Sequence, residues 1–191
     1  MTDSHSYSST KSLGHVLVTG GSGGLASQII ELLQTRSATT KLSSVDLRAP
    51  AEPVSGCDYH FGDLTDEKNM SELFDQLKPD VVIHTASPRY DSPREIMYKV
   101  NVQGTENLVK ISQNAGVKVF VYTSSASVIS DNATDLVNAD EEYPLVTGSD
   151  QPEYYTHTKV RTFDLSSRST SLSSSLLCPL SFPPSVVSFL L

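Results

Sequence analysis

The stretch Thr19-Gly20-Gly21-Ser22-Gly23-Gly24-Leu25-Ala26 constrains this chain most, because a strand-like run, His15 to Val18, enters it and a helix-like run leaves it. Glycine suits such a turn: without a Cβ it takes positive φ and lets the backbone come close to an anion. The helix that follows offers unpaired N–H groups and the positive end of its dipole. Two spacings are satisfied together, Gly20-x-x-Gly23-x-x-Ala26 and Gly21-x-Gly23-x-x-Ala26, and the second is the dinucleotide form that ends in alanine. A glycine-rich surface turn fits the same letters. Asp46 separates the two readings. It ends the next strand-like run, Leu42 to Val45, 20 residues beyond Ala26, where a carboxylate accepts hydrogen bonds from an adenosine ribose.

From His15 to about Asp164, short β-branched runs alternate with segments of helical period, the pattern of a parallel sheet flanked by helices. Val16-Leu17-Val18, Val81-Val82-Ile83 and Val119-Phe120-Val121 are continuously apolar, as strands buried on both faces are. Leu42 to Val45 and Asp58 to Phe61 bring the expected strands to five. The first helix is expected from Gly24 to Arg36 with Leu25, Ile29, Leu32 and Leu33 on its buried face. A second follows Thr65 as N-cap, with Met70, Leu73, Phe74 and Leu77 as its stripe. A third is expected from Pro93 to Ala115 through Met97, Val100, Gly104, Leu108 and Ile111, Gly104 marking close packing on the sheet. The fold class expected is a Rossmann-type doubly wound α/β sheet, with ligands at the carboxyl ends of its strands. The glycine loop, Asp46, Asp63, Thr85 to Ser87 and Ser124-Ser125 fall at those ends.

The net charge of -8 and pI near 5.0 exclude a general nucleic-acid or anionic-membrane surface, which needs clustered Lys and Arg. Cys57 and Cys178 lie far apart and the five histidines are scattered, so no disulfide framework or metal site is indicated. Residues 1 to 14 are polar and Ser-rich without an apolar signal-type core, so a cytoplasmic protein is expected, peripheral placement at the endoplasmic reticulum being left open.

Beyond the nucleotide half, Tyr122-Thr123-Ser124-Ser125-Ala126-Ser127 follows the fifth strand, and Tyr155-Thr156-His157-Thr158-Lys159 comes 30 residues after Ser125. On a helix Tyr155 and Lys159 share a face. An ammonium beside a phenol favours the phenolate, the form that takes a proton as general base. A serine hydroxyl near them can donate to a substrate oxygen and stabilise charge there. By spacing alone a solvated helix face is the better reading; the place of the pair after a complete nucleotide-binding half is what favours chemistry. His84, His157 and Asn101 take plain readings as strand end, helix surface and helix packing.

These residues resemble the extended short-chain dehydrogenases/reductases. Thr19-Gly20-x-x-Gly23-x-x-Ala26, Gly62-Asp63-Leu64-Thr65-Asp66, His84-Thr85-Ala86-Ser87-Pro88, Asn101-Val102-Gln103-Gly104-Thr105, Tyr122-Thr123-Ser124-Ser125 and Tyr155-x-x-x-Lys159 match in order over residues 13 to 164. The wording is most similar to the branch of 3β-hydroxysteroid dehydrogenases and sterol-4α-carboxylate 3-dehydrogenases (decarboxylating). The resemblance implies that Gly20, Ser22, Gly23, Gly24 and Leu25 form the pyrophosphate loop. Asp46 would hold the adenosine ribose, Asp63 and Leu64 the adenine edge, and Ala86 and Ser87 the ribose and phosphates. Ser125, Tyr155 and Lys159 would be the catalytic set, with Tyr155 and Lys159 also at the cofactor. NAD is implied because Asp46 repels a 2′-phosphate, while Arg48 keeps NADP open. The implied reaction is oxidation of a sterol 3-hydroxyl, with loss of a neighbouring 4-carboxylate where the substrate carries one. The implied partners are a sterol-like small molecule and, as an open question, a second copy of the chain; no transmembrane segment is expected. A nucleotide-sugar epimerase or reductase, a non-catalytic NAD-binding module and a chain that does not fold alone remain alternatives.

Domain boundaries are expected at 1–13 (disordered tail), 14–165 (NAD(P)-binding domain) and 166–191 (Ser-rich, poorly ordered). Residues 166 to 175 hold seven serines, and Arg168 is the only charged side chain from Leu165 to Leu191. The family continues from the YxxxK helix into a sixth strand and a substrate lobe. The expectation here is therefore a sheet missing its last strands and a chain cut short by a frameshift, a retained intron or a mistaken gene model, with Leu176 to Leu180 a vestige of the sixth strand and Pro183-Pro184 unable to continue a central one.

Overall fold

The computed structural model describes residues 12–36, 39–139, 143–171 and 189–190. Five parallel strands form the sheet the sequence predicts: β1 (Gly14–Thr19), β2 (Thr39–Asp46), β3 (Asp58–Phe61), β4 (Val81–His84) and β5 (Val119–Thr123). Their order is β3-β2-β1-β4-β5 and every pairing is parallel, with Val18 beside Ser44 on one flank and Ile83 on the other. Phe189–Leu190 add a two-residue sixth strand, β6, parallel to β5 at Tyr122 and Thr123. The segments 1–11 and 176–180, for which a tail and a vestigial strand are expected, lie outside the described residues.

Alternation along β1 feeds two cores. Val16 and Val18 join Ala26, Ile30, Leu42 and Val81 under α1 (Gly24–Arg36) on one face. Leu17 joins Val45, Met70, Phe74, Val82, Leu108 and Tyr122 on the other. That second face is covered by α2 (Glu67–Leu77) and α4 (Thr105–Asn114). Side chains such as Phe74 and Ile30, essentially sealed from water, each contribute about 1.5–3 kcal/mol of transfer free energy.

The helices depart from expectation in three places. On α1 the buried stripe is Ala26, Ile29, Ile30 and Leu33, the i, i+3, i+4, i+7 set, while Leu25 and Leu32 face outward at 56% and 46% exposure. Asp66, not Thr65, caps α2, its Oδ1 accepting the Asn69 N–H at 3.0 Å; Thr65 instead turns both its N–H and hydroxyl onto Asp63 Oδ1 at 2.8 Å each. The predicted helix from 93 to 115 is α3 (Arg94–Met97), a π-helical stretch (Tyr98–Gly104) and α4 in succession. The π-turn buries Asn101, and Gly104 is close-packed on Leu64 in the loop after β3, where an added Cβ would lie 3.1 Å from Leu64 Cβ. Ala115, expected on the stripe, is exposed beyond the helix end. Last comes α5 (Tyr154–Ser171), against the π-helical stretch and α4. No helix among the described residues is long and apolar enough to cross a membrane.

Candidate functional site

The strand order reverses between β1 and β4, which stay paired to Thr19 and His84, so the connections leaving their carboxyl ends run to opposite faces of the sheet, the arrangement that opens a crevice. Gly20 closes the turn out of β1 at φ +81°, its N–H donating to Val45 O at 2.8 Å. A Cβ on Gly20 would meet Ala86 Cα at 2.8 Å and Ala86 N at 2.9 Å, so glycine is required both for φ and for the approach to the β4 loop. Gly23 N–H returns to Gly20 O at 2.8 Å. The N–H groups of Gly24 and Leu25, which open α1, meet no backbone carbonyl among the described residues, and nothing lies within 4 Å of a Cβ built on Gly24. Two free donors, a helix dipole and open space in front of them suit a pyrophosphate.

Asp46 ends β2 beside this loop. Its Oδ2 accepts the Ser22 N–H at 3.0 Å and its Oδ1 the Arg48 N–H at 3.1 Å, so the carboxylate ties the glycine turn to the β2 loop. Asp63 lies half-buried after β3, one oxygen held by Thr65. The Leu64 side chain is sealed in the core at 7% exposure. After β4, Ala86 N–H donates to Thr19 Oγ1 at 3.3 Å, and Ser87 Oγ donates to Asn101 Oδ1 at 3.0 Å. The site residues expected at the ends of β1, β2, β3 and β4 thus all stand along the carboxyl-end edge of one parallel sheet.

At the end of β5, Ser125 is half-buried, its Oγ 2.7 Å from Ser127 Oγ. α5 brings Tyr155 and Lys159 to the same end. Lys159 is 3% exposed; its Nζ donates to Thr123 O at 3.4 Å and stands 5.2 Å from the Tyr122 ring centre and 5.8 Å from that of Tyr155. Burial pulls the Lys159 ammonium down to about 8 from its ordinary 10.5. A lysine so placed carries its charge at neutral pH but surrenders it within reach of physiological conditions.

His84 and Asn101, read from the sequence as strand end and helix packing, are both, and they also make hydrogen bonds, unforeseen in the sequence, that hold this end of the sheet together. His84 is fully buried, with Nδ1 at 2.6 Å from Thr19 Oγ1 and Nε2 at 2.9 Å from Thr105 Oγ1. Burial, reinforced by the Lys159 charge, lowers its pKa to about 3, so the ring is neutral. Asn101, also buried, donates Nδ2 to Thr158 Oγ1 at 2.9 Å, and its backbone carbonyl accepts the Thr162 hydroxyl at 3.0 Å. His157 stays at the helix surface, stacked on Tyr154. The available signal was the polar letters at strand ends and at i, i+4 on α5, Thr158 and Thr162.

Residues 17–169 match the 3-beta hydroxysteroid dehydrogenase/isomerase family. A Candida albicans protein, sterol-4-alpha-carboxylate 3-dehydrogenase, decarboxylating, is 41% identical over 143 residues, covering 71% of this chain and 41% of that protein. A Mycolicibacterium neoaurum 3-beta-hydroxysteroid dehydrogenase is 35% identical over 157 residues, 78% of this chain and 41% of that one. Among solved structures, the Bordetella bronchiseptica enzyme WbmG in complex with NAD superposes with a TM-score of 0.66 at 27% identity, covering 78% of this chain and 48% of that chain. The chain thus spans less than half the length of each of these relatives.

Proposed function

The chain belongs to the 3-beta hydroxysteroid dehydrogenase/isomerase family, and from that premise we propose that it binds NAD in the β1–β4 crevice and serves the oxidation of a sterol 3-hydroxyl. The observation that carries this reading is that α5 sets Tyr155 and the buried Lys159 against Thr123 at the end of β5, two residues before Ser125, at the same sheet edge as the glycine turn and Asp46. The N–H groups of Gly24 and Leu25 bind the pyrophosphate, and Asp46 accepts from the ribose hydroxyls. NAD is favoured over NADP because the Asp46 carboxylate would face a 2′-phosphate. Asp63 and the Leu64 backbone border the adenine, and Ala86 and Ser87 line the cofactor's ribose and phosphates.

When bound, the nicotinamide ring accepts the hydride that leaves the carbinol carbon. Tyr155 takes the proton of the carbinol hydroxyl. Lys159, charged below about pH 8 and 5.8 Å from the Tyr155 ring centre, sets a positive charge beside this proton transfer and would reach the nicotinamide ribose. Ser125 donates to the substrate oxygen as it becomes a carbonyl. Where a carboxylate stands beside the new ketone, the β-keto acid loses carbon dioxide without a further side chain. The likeness to sterol-4-alpha-carboxylate 3-dehydrogenases supports a substrate of that kind.

The test is turnover by the purified chain of a 3β-hydroxysterol and a 4α-carboxysterol with NAD, followed by absorbance of the reduced nicotinamide. Turnover lost in Tyr155→Phe with NAD binding kept is the expected result. Equal loss of both contradicts the role given to Tyr155, and protection by a UDP-sugar instead of a sterol points to the epimerase reading.

A further inference from the structure

Ser125 has neighbours that the roles of Tyr155, Lys159 and the cofactor leave unused. Ser125 Oγ accepts the Ser127 N–H at 3.3 Å and lies 2.7 Å from Ser127 Oγ. Thr156, next to Tyr155 on α5 and fully buried, donates its hydroxyl to Ser127 Oγ at 2.8 Å. Three hydroxyls therefore run in line from the helix that carries Tyr155 to the serine at the end of β5.

Each hydroxyl has one proton and two lone pairs, so the direction of the line is decided at its far end. The Thr156 proton has two acceptors, Ser127 Oγ at 2.8 Å and Glu153 Oε2 at 3.3 Å. The nearer one takes it. The exposed Glu153 carboxylate keeps Asn132 Nδ2, 3.1 Å from its Oε1, and solvent. Ser127, accepting from Thr156, gives its own proton to Ser125. Ser125 then accepts from both the hydroxyl and the amide of Ser127, and its own proton meets no acceptor among the described residues.

We propose that Thr156 and Ser127 are positioning residues whose hydroxyls form a donor chain, Thr156 to Ser127 to Ser125, that presents the Ser125 proton to the substrate oxygen. The inference rests on the reading of Ser125 given above. As a carbinol becomes a ketone its oxygen can only accept, and a Ser125 that had spent its proton on Ser127 would meet it lone pair to lone pair.

The chain makes an ordering that mere packing does not. Thr156→Val removes the bond that orients the Ser127 hydroxyl, which can then rotate a lone pair toward Ser125 and take its proton. Ser127→Ala removes that competing acceptor, so Ser125 keeps its proton free. Thr156→Val is therefore the more harmful change, and adding Ser127→Ala to it restores activity to the Ser127→Ala level, a coupling that a double-mutant cycle reads directly.

The experiment measures kcat and KM for sterol and NAD in the wild-type chain, Thr156→Val, Thr156→Ser, Ser127→Ala and the double variant, with the NAD-induced rise in Tm as the measure of an intact nucleotide site. Expected is a kcat about tenfold lower in Thr156→Val, smaller than loss of a whole oxyanion donor, with KM for NAD unchanged and Thr156→Ser near wild type. Thr156→Ala replaces the valine variant if the latter does not unfold cooperatively. An active wild type with unaffected Thr156→Val, or a double variant as slow as Thr156→Val, overturns this inference alone. A wild type that binds NAD but oxidises no sterol overturns the function proposed above and this inference with it.

Discussion

The Lys159 ammonium donates to the Thr123 carbonyl at 3.4 Å, joining the helix that carries Tyr155 to the last residue of β5, two positions before Ser125. The charge is held at a cost. A group whose folded pKa lies below its unfolded one contributes full stability above the unfolded value and loses it as pH falls through the folded value. For Lys159 that window runs from 10.5 down to about 8. Lys159→Met is therefore expected to be more stable than wild type at pH 7 by on the order of 2 kcal/mol, after allowing for the lost bond to Thr123. The gap should close as pH approaches 10. Chemical denaturation at several pH values checks this; a gap that does not change with pH removes the buried-charge explanation.

His84 acts on the acid side with the same sign. Its neutral ring is favoured in the folded chain, so its share of stability is complete above pH 6.5 and drains away as pH falls toward about 3. His84→Gln should flatten the decline of stability over that range while lowering stability at pH 7 by roughly 1–3 kcal/mol, the usual penalty when buried partners, here Thr19 and Thr105, lose their hydrogen bonds. Parallel acid titrations of both chains by circular dichroism would show equal slopes if His84 were accessible to protons.

Two glycines in one turn should answer oppositely to alanine. Gly20→Ala places a Cβ against the Ala86 backbone at φ +81° and is expected to cost about 1–3 kcal/mol and to weaken NAD binding. Gly24→Ala meets nothing within 4 Å and starts α1, so its stability should equal or exceed wild type by up to about 1 kcal/mol. Urea unfolding of the two variants decides; equal destabilisation would contradict the geometry of the turn.

Asp46 should set cofactor choice. Asp46→Ala releases the Ser22 and Arg48 N–H groups and removes a carboxylate from the ribose. NAD affinity is expected to fall about tenfold or more, as charged hydrogen bonds contribute about 1.5–3 kcal/mol, and NADP to gain relative to NAD. Calorimetric titration with both dinucleotides measures the ratio, and an unchanged ratio places the discrimination elsewhere.

The sheet and the glycine turn were legible because their signals are local: continuous β-branched runs, a turn that only glycine closes, an acidic residue at the end of the next strand. The α1 face was misread because five leucines and isoleucines within one helix fit two overlapping stripes, and only the sheet selects Ala26 and Ile30 over Leu25 and Leu32. The π-turn at Tyr98–Gly104 was invisible to a period of 3.6, since it forms where Asn101 engages Thr158 and Thr162 on a helix some 60 positions away, spacings of 57 and 61 residues. The same holds for His84. Its partners Thr19 and Thr105 lie on two other elements, and the letter alone reads as a strand end. Tyr155 and Lys159 stood out by their spacing together with their place after the nucleotide half, whereas the Thr156 to Ser127 link needed the fold.

The most direct measurement is thermal unfolding of the purified 191-residue chain alone, with NAD and with NADP, since a ligand bound by the native state alone raises Tm. A single cooperative transition raised by NAD, and less by NADP, is the predicted result. A cooperative transition that neither dinucleotide moves would contradict the claim that the β1–β4 crevice is a nucleotide site.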